Sequence, residues 1–298
     1  MTAEKNSSNI RYQVDTPTWS KLNYKVDGVF TDVKSTLDDS KSLYIVAVQA
    51  ALAQLHLTDS VVPFSAATSI LDIACGPGTV YSALFSSPIT LSRTAPLLAI
   101  DISPSMIANL NKTKLAHPGS PSWSRVQASV VDATDLSSIS TASQSHVLSG
   151  MGICSIPEST AALREARRVM APGAVLSMTS IAEAAWMTDV MGILTAMYPH
   201  RKVPFMAEKW RTRDALKSEL ELNGFVHVVV EEAPLSMRFT KPENFVQTLW
   251  AVLPFMPGLV KGLSEEDVQR VKDAQVQFVT KTYPDGVIPG LALVSMAR

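Results

Sequence analysis

Short apolar segments alternate with helix-forming segments between residues 69 and 181, and this alternation restricts the possible folds more than any other feature of the chain. Strands are predicted at 69–74 and in "PLLAID", "RVQASVVDA", "HVLSGMG" and "AVLSMTSI". Between them, Ser103 is suited to cap a helix with Pro104 at its first position, and "STAALREARRVM" forms a helix that stops at the following Pro-Gly pair. Strands that alternate with helices form parallel sheets, so we predict an α/β fold.

The rest of the chain adds helices and two strands to this core. Without a repeat or a low-complexity linker, we predict one domain over residues 1–298. We divide it into an N-terminal helical cap (1–60), a ligand-binding core (61–182) and a C-terminal part (183–298) that carries substrate-side helices and the last strands, "VHVVVEEA" and "GLALVSMA". A helical insertion at 239–286 separates these two strands.

The insertion has two interpretations. We predict two helices in it, one opened by a capping box at Thr240 and one at Ser264. Its aromatic residues, among them Trp250, are typical of a packed helical appendage. The same residues could also roof a substrate pocket, and both interpretations stay open here.

Composition excludes several classes of partner. The chain has a formal net charge of -1, with 46% hydrophobic and 18% charged residues, which does not favour nucleic-acid binding. The apolar helix candidate "LYIVAVQAALAQL" is too short for a membrane span, and the N-terminus lacks the apolar core of a signal peptide. Cys75 and Cys154 have no spacing typical of a metal site or a disulfide framework. We predict a cytoplasmic chain with no metal, nucleic-acid or membrane partner.

Three aspartates stand at predicted strand ends. Asp72 lies inside "ILDIACGPGT", where a buried carboxylate is costly unless it meets a cation, and Gly76 and Gly78 allow a ligand to approach the backbone. Asp101 ends the second strand, where a carboxylate can accept both hydroxyls of a ribose. Asp132 ends the third, where it could accept a hydrogen bond from an exocyclic amine. Ammonium, ribose and adenine together describe S-adenosylmethionine.

Structural interpretations compete with these roles. Asp101 could simply precede the cap at Ser103, and Asp132 lies in a polar turn where acids are common. Asp72 has no adjacent helix to cap. A dinucleotide-dependent dehydrogenase is disfavoured because the third glycine of its fingerprint is missing. A nucleic-acid methyltransferase is disfavoured because "SGMGICSIPE" stands where an Asn-Pro or Asp-Pro motif would be expected.

The motifs "LDIACGPGT", "AID" and "VVDA" resemble, in order and spacing, those of the class I methyltransferases that use S-adenosylmethionine. The resemblance covers residues 69–181 and implies a Rossmann-like sheet of seven strands whose last strand is antiparallel. The phrases "CSIPESTAALREARRVMAPGAVL" and "DGVIPGLALVSMA" are similar to fungal small-molecule methyltransferases, including those that methylate thiols of gliotoxin-type compounds.

The resemblance assigns cofactor roles residue by residue. It implies that the first motif holds the methionine end, that the acid of the second motif holds the ribose, that two apolar residues enclose the adenine, and that the third motif borders the adenine. The turn after the fourth strand would face the sulfonium. In this order the implied residues are Asp72, Ala74, Cys75, Gly76, Pro77 and Gly78; Asp101; Ile102 and Met106; Asp132 and Ala133; and Gly150 and Met151.

Candidate acceptor-site residues are aromatic. The resemblance nominates Trp19 and Tyr24 in the N-terminal segment as a cover over the cofactor, while Trp186, Phe205 and Trp250 could line an acceptor pocket. Core packing is the alternative for all five, and it is the commoner use of residues at helical spacing such as Trp186 and Phe205.

The predicted function is methyl transfer to a small-molecule acceptor, a secondary metabolite with a thiol, amine or hydroxyl nucleophile. No catalytic base is assigned, because no motif identifies one and a thiol is reactive enough without one. The alternative is a protein that keeps the fold and binds the cofactor but serves a pericyclase-like or regulatory role.

Overall fold

A mixed β-sheet forms the centre of the computed structural model, which describes residues 42–253 and 255–298. The predicted cover residues Trp19 and Tyr24 lie outside the described residues. Within the described ranges the sheet has seven strands: β1 (Ile70–Ile73), β2 (Leu97–Asp101), β3 (Val126–Val130), β4 (Gln144–Gly150), β5 (Met170–Ala184), β6 (Val229–Arg238) and β7 (Val287–Ala297).

The order of the strands is β3-β2-β1-β4-β5-β7-β6. Strands β1 to β5 pair in parallel, whereas β7 lies between β5 and β6 and is antiparallel to both. This confirms the predicted α/β sheet with an antiparallel last strand. Because the chain leaves β1 for β2 and β3 and then returns to β4, a crevice opens beyond the carboxyl ends of β1 and β4, where such sheets bind ligands.

Helices cover both faces of the sheet. One face carries a core that includes Leu71, Leu176 and Trp210, and the other carries a core that includes Ile70 and Tyr81. In the described residues the α-helices are α1 (Ser42–Val61), α2 (Thr79–Ser86), α3 (Pro104–Leu115), α4 (Pro121–Arg125), α5 (Ser159–Val169), α6 (Gly192–Met197), α7 (Arg213–Leu222), α8 (Pro242–Val252), α9 (Met256–Leu259) and α10 (Glu265–Thr282).

Local sequence signals explain several helix ends. Ser103 accepts a hydrogen bond from the backbone N–H of Met106, with Pro104 in the first turn, as predicted. In the insertion, Ser264 caps α10 as predicted, but the prediction for Thr240 is wrong, because α8 begins after Lys241 and has no side-chain cap.

Two strand boundaries differ from the predictions. Strand β3 ends at Val130, two residues before Asp132, and the Asp132 carboxylate accepts a hydrogen bond from the backbone N–H of Thr134 in the turn that follows. Strand β5 starts at Met170, directly after α5, and includes the Pro-Gly pair that was predicted to separate helix from strand. Gly173 has a φ of 79° there, so extended backbone continues through a local kink.

A third apolar core joins the C-terminal helices to the ends of the strands. It includes Trp186 after β5, Phe245 on α8 and Val279 on α10, all of them buried. The insertion therefore packs against the C-terminal end of β5. No helix in residues 42–253 and 255–298 combines the length and apolar character that a membrane span requires.

Candidate active site

Asp72 lies on β1 at the crevice, and its side chain is completely buried. Neither carboxylate oxygen has a hydrogen-bond partner among the described residues. Burial, and secondarily the nearby charge of Asp101, raises the pKa of Asp72 well above its usual range. A buried carboxylate without donors is costly, so this group suits a ligand that brings a positive charge and N–H donors.

The loop after β1 has an unusual backbone. Ala74, Gly76 and Gly78 have φ angles of 54°, 53° and 90°, in the left-handed region. At Gly78 an added Cβ would lie 3.2 Å from Leu110 Cγ, so glycine lets α3 pack closely. At Gly76 an added Cβ would meet no atom within 4 Å, so the backbone there is open to a ligand.

Asp101 connects this loop to the end of β2. Its Oδ2 accepts a hydrogen bond from the Gly76 N–H and its Oδ1 accepts one from the Ser103 N–H, both at 2.9 Å. Burial raises the pKa of Asp101, although these two hydrogen bonds oppose the shift. Each oxygen keeps acceptor capacity for a ligand hydroxyl. Next to it, Ile102 is 38% exposed, whereas Met106, in the first turn of α3, is buried.

The third predicted acid is in a different environment. Asp132 is exposed, and its Oδ1 accepts hydrogen bonds from the backbone N–H and the hydroxyl of Thr134, both at 2.8 Å. Ala133 is buried beside it in the core. The carboxylate thus stabilises its own turn and leaves its second oxygen for other partners.

The turn after β4 completes the crevice on the other side of β1. Met151 has a φ of 56°, and its N–H donates to Thr179 Oγ1 at 2.9 Å. An added Cβ at Gly150 would lie 2.6 Å from Val80 Cγ2, and one at Gly152 would lie 2.7 Å from Ala74 Cβ. The turns that follow β1 and β4 therefore pack directly against each other.

Sequence reasoning missed two residues that hold this turn in place. Gly152 was visible in "SGMG", but only the structure shows that its missing side chain lets Ala74 approach. Thr179 lies on β5, remote in sequence, and no local pattern marks it as the acceptor for Met151.

The cysteines are not suited to nucleophilic chemistry. Cys75 is buried in the glycine loop, and its N–H donates to the carbonyl of Ile100 at 2.9 Å. Burial raises the pKa of Cys75 well above its usual range and that of Cys154 to about 12. Both thiols therefore stay protonated near neutral pH.

The candidate acceptor-site aromatics are held by packing contacts. Trp186 is 2% exposed and lies so close to Gly290 that an added Cβ there would be 2.6 Å from the indole. Phe205 is half-buried under the guanidinium of Arg211, 4.5 Å from the ring centre. Trp250 donates its indole N–H to Gln275 Oε1 at 2.7 Å. The first contact joins β7 to the segment after β5, and the last joins α8 to α10 within the insertion.

A family model described as a methyltransferase domain matches residues 70–173, which contain β1 to β4, the glycine loop and both buried aspartates. Residues 70–173 therefore form an S-adenosylmethionine-dependent methyltransferase domain. Among curated proteins, this methyltransferase is 29% identical over 272 residues to methyltransferase ucsB of an Acremonium species, covering 88% of this chain and 93% of the relative. It is 25% identical over 244 residues to methyltransferase tpcH of Aspergillus fumigatus, covering 77% and 84%.

Solved structures share the fold of this methyltransferase. The cyclase SpnF superposes with a TM-score of 0.53 at 15% identity, covering 95% of both chains. BH2331 from Bacillus halodurans superposes with a TM-score of 0.51 at 17% identity, covering 83% of this methyltransferase and 97% of that chain. At these identities the likeness concerns the fold alone.

Proposed function

We propose that this enzyme transfers the methyl group of S-adenosylmethionine to a nucleophilic thiol, amine or hydroxyl of a small secondary metabolite. One observation carries the proposal most directly. The Asp72 carboxylate is completely buried and unpartnered within the described residues, next to a glycine loop that is open at Gly76. An aminoacyl ligand with an ammonium group provides the charge and donors that this carboxylate lacks.

In this proposal, different residues around the crevice bind different parts of the cofactor. Asp72 and the loop from Ala74 to Gly78 hold the methionine end, and Asp101 accepts the ribose hydroxyls while it fixes Gly76. The adenine lies between two apolar residues and borders the turn after β3. The residues assigned to the adenine are Ile102, Met106, Asp132 and Ala133, and those assigned to the sulfonium are Gly150 and Met151.

Positioning is the main catalytic contribution in this scheme. The cofactor supplies a methyl group activated by a sulfonium, and the turn after β4 fixes the direction from which a nucleophile can approach it. Holding two reactants at attack distance lowers the barrier by about 7–11 kcal/mol in well-oriented pairs. This contribution requires no base when the nucleophile is a thiol, because thiols are partly ionised near neutral pH.

The acceptor is proposed to bind beyond β5, near the core of Trp186, Phe205 and Trp250. Aromatic and methionine side chains there suit an apolar small molecule. A net charge of -1 supports a small molecule over a polyanion. Relatives from Acremonium and Aspergillus support a fungal origin.

The test is product formation. The enzyme is incubated with methyl-labelled cofactor and a fungal metabolite extract, beside a panel of small thiols, amines and phenols, and labelled products are identified by mass spectrometry. A labelled small molecule formed only with active enzyme supports the proposal. Tight cofactor binding without any labelled product would overturn methyl transfer and favour the pericyclase-like or regulatory alternative, since the cyclase SpnF has the same fold.

A further inference from the structure

Gln54 on α1 carries a second buried acceptor near the crevice. Its side chain has no exposed surface, and Nε2 donates to the carbonyl of Ser177 on β5 at 2.7 Å. Oε1 has no hydrogen-bond partner in the part of the chain that the structure describes. Because the amide N–H is committed to Ser177, the amide cannot turn over without breaking that bond, and Oε1 keeps its direction.

The strand register places this oxygen on the same face of the sheet as Asp72. Asp72 pairs with Leu148, and Leu148 pairs with Ser177, so these three side chains point to one face. Gly150 lies two residues after Leu148 and shares that face. An added Cβ at Gly150 would lie 3.8 Å from Gln54 Oε1. The unpartnered oxygen therefore lies close to the backbone of Gly150, at the end of β4, with Val80 packed beside it.

Two buried acceptors thus flank the strand that ends at Gly150, with Asp72 on one side and Gln54 on the other. Adjacent strands are about 4.8 Å apart, so the backbone positions of Asp72 and Ser177 are separated by about 10 Å. An unpartnered buried acceptor destabilises the protein, and a ligand with several N–H donors would remove that cost at both positions.

We propose that Gln54 binds the ammonium group of the cofactor through Oε1, together with Asp72. An ammonium group has three donors and no acceptor, which matches a carboxylate and an amide oxygen. Glutamine adds an acceptor but no charge. A second negative charge beside Asp72 would raise the free-energy cost of burying both groups. The inference rests on the proposed placement of the methionine end at Asp72 and extends that site to α1.

Two ligands separate this role from a structural one. S-adenosylhomocysteine carries the ammonium group, whereas 5′-methylthioadenosine keeps the adenosine and the sulfur but lacks the whole amino-acid part. Calorimetry measures both ligands on the wild-type protein, Gln54→Leu and Gln54→Met. Gln49→Leu is the matched control, because Gln49 is also on α1 and its side chain binds Ser236 on β6 through a pair of amide hydrogen bonds.

We expect Gln54→Leu to weaken S-adenosylhomocysteine binding by roughly tenfold or more, the effect of one hydrogen bond to a charged group, with 5′-methylthioadenosine unaffected. Gln49→Leu should change neither affinity. If Gln54→Leu does not fold, Gln54→Met keeps the length of the side chain and should show the same selectivity.

Several results would overturn the role of Gln54. Equal losses for both ligands would show that the residue only supports α1, and an unchanged affinity for S-adenosylhomocysteine would show that the Ser177 hydroxyl or a water satisfies Oε1. A wild-type protein that binds neither ligand would instead overturn the proposed cofactor site as a whole. If the wild-type protein and Gln54→Leu bind S-adenosylhomocysteine equally well, the role of Gln54 is rejected and the proposed cofactor site is not affected.

Discussion

Asp101 accepts a hydrogen bond from the backbone N–H of Gly76 at 2.9 Å, so the acid at the end of β2 fixes the loop that follows β1. Its other oxygen accepts from the Ser103 N–H at the start of α3, also at 2.9 Å. One carboxylate therefore sets the position of two backbone segments that border the crevice. This architectural role comes in addition to the proposed contact with the ribose.

Asp101→Ala should weaken S-adenosylhomocysteine binding by at least about 1.5–3 kcal/mol, because it removes a charged acceptor and releases the Gly76 loop. Asp101→Asn keeps one acceptor oxygen for a backbone N–H but turns an amide donor toward the other, so its affinity should also fall. Calorimetry and a thermal melt measure both effects. Asp135→Ala is the control. Asp135 is exposed, its carboxylate accepts a hydrogen bond from the Ser137 N–H in its own turn, and its electrostatic interaction is with Arg168. An unchanged affinity in Asp101→Ala would remove Asp101 from the site.

Gly152→Ala should disturb the contact between the turns after β1 and β4. The new Cβ would lie 2.7 Å from both Ala74 Cβ and Ser149 Oγ, and 3.0 Å from the carbonyl of Ile73, so the glycine loop has to move. We expect weaker cofactor binding and a lower melting temperature. Gly119→Ala is the control, because an added Cβ there meets nothing within 4 Å. Normal binding in Gly152→Ala would show that the loop position is not set by this contact.

The parts of the fold that sequence predicted are those set by local rules. The alternation of strand and helix, the Ser103 cap and the glycine turn depend on residues within a few positions of each other, and the structure shows all three. The antiparallel direction of β7 was predicted only from resemblance to a family, and its position between β5 and β6 was not predicted, because strand order depends on contacts that are distant in sequence.

The candidate site was predictable only in part for the same reason. The strand-end location of Asp72 and Asp101 is a local property, and the chain shows it directly. Other features of the site depend on tertiary packing. These are the contacts of Asp101 with Gly76, of Thr179 with Met151 and of Gln54 with Gly150. Polar residues inside an apolar helix, such as Gln54 in α1, were a signal that sequence reasoning left unused.

Trp250→Phe should separate packing from acceptor binding in the insertion. The substitution keeps an aromatic ring but removes the N–H that donates to Gln275, whose own amide donates to the carbonyl of Val190. We expect a loss of about 1 kcal/mol in unfolding free energy, with cofactor affinity unchanged. If the insertion also roofs the acceptor pocket, the KM for the acceptor rises while that for the cofactor stays constant. A weakened cofactor affinity would contradict the assignment of this region to the acceptor side.

Asp72→Asn should stabilise the ligand-free protein while weakening cofactor binding. Burial raises the pKa of Asp72 in the folded state, so the folded protein binds this proton more tightly than the unfolded chain. The stability contributed by the protonated carboxyl is therefore fully present below the unfolded pKa of about 4 and is lost as pH rises through the higher folded pKa. Asparagine does not titrate, so the melting temperature of Asp72→Asn relative to wild type should increase with pH.

In the wild-type protein, the affinity for the cofactor should increase with pH, whereas the stability contributed by the protonated Asp72 carboxyl decreases with pH. A bound ammonium group favours the ionised carboxylate and lowers the pKa of Asp72, so binding releases a proton and weakens as pH falls. Calorimetry of S-adenosylhomocysteine in buffers of different ionisation enthalpy measures that release, and Asp72→Asn should release less and bind more weakly. Equal proton release and equal affinity in the two proteins would show that Asp72 does not face the ammonium group.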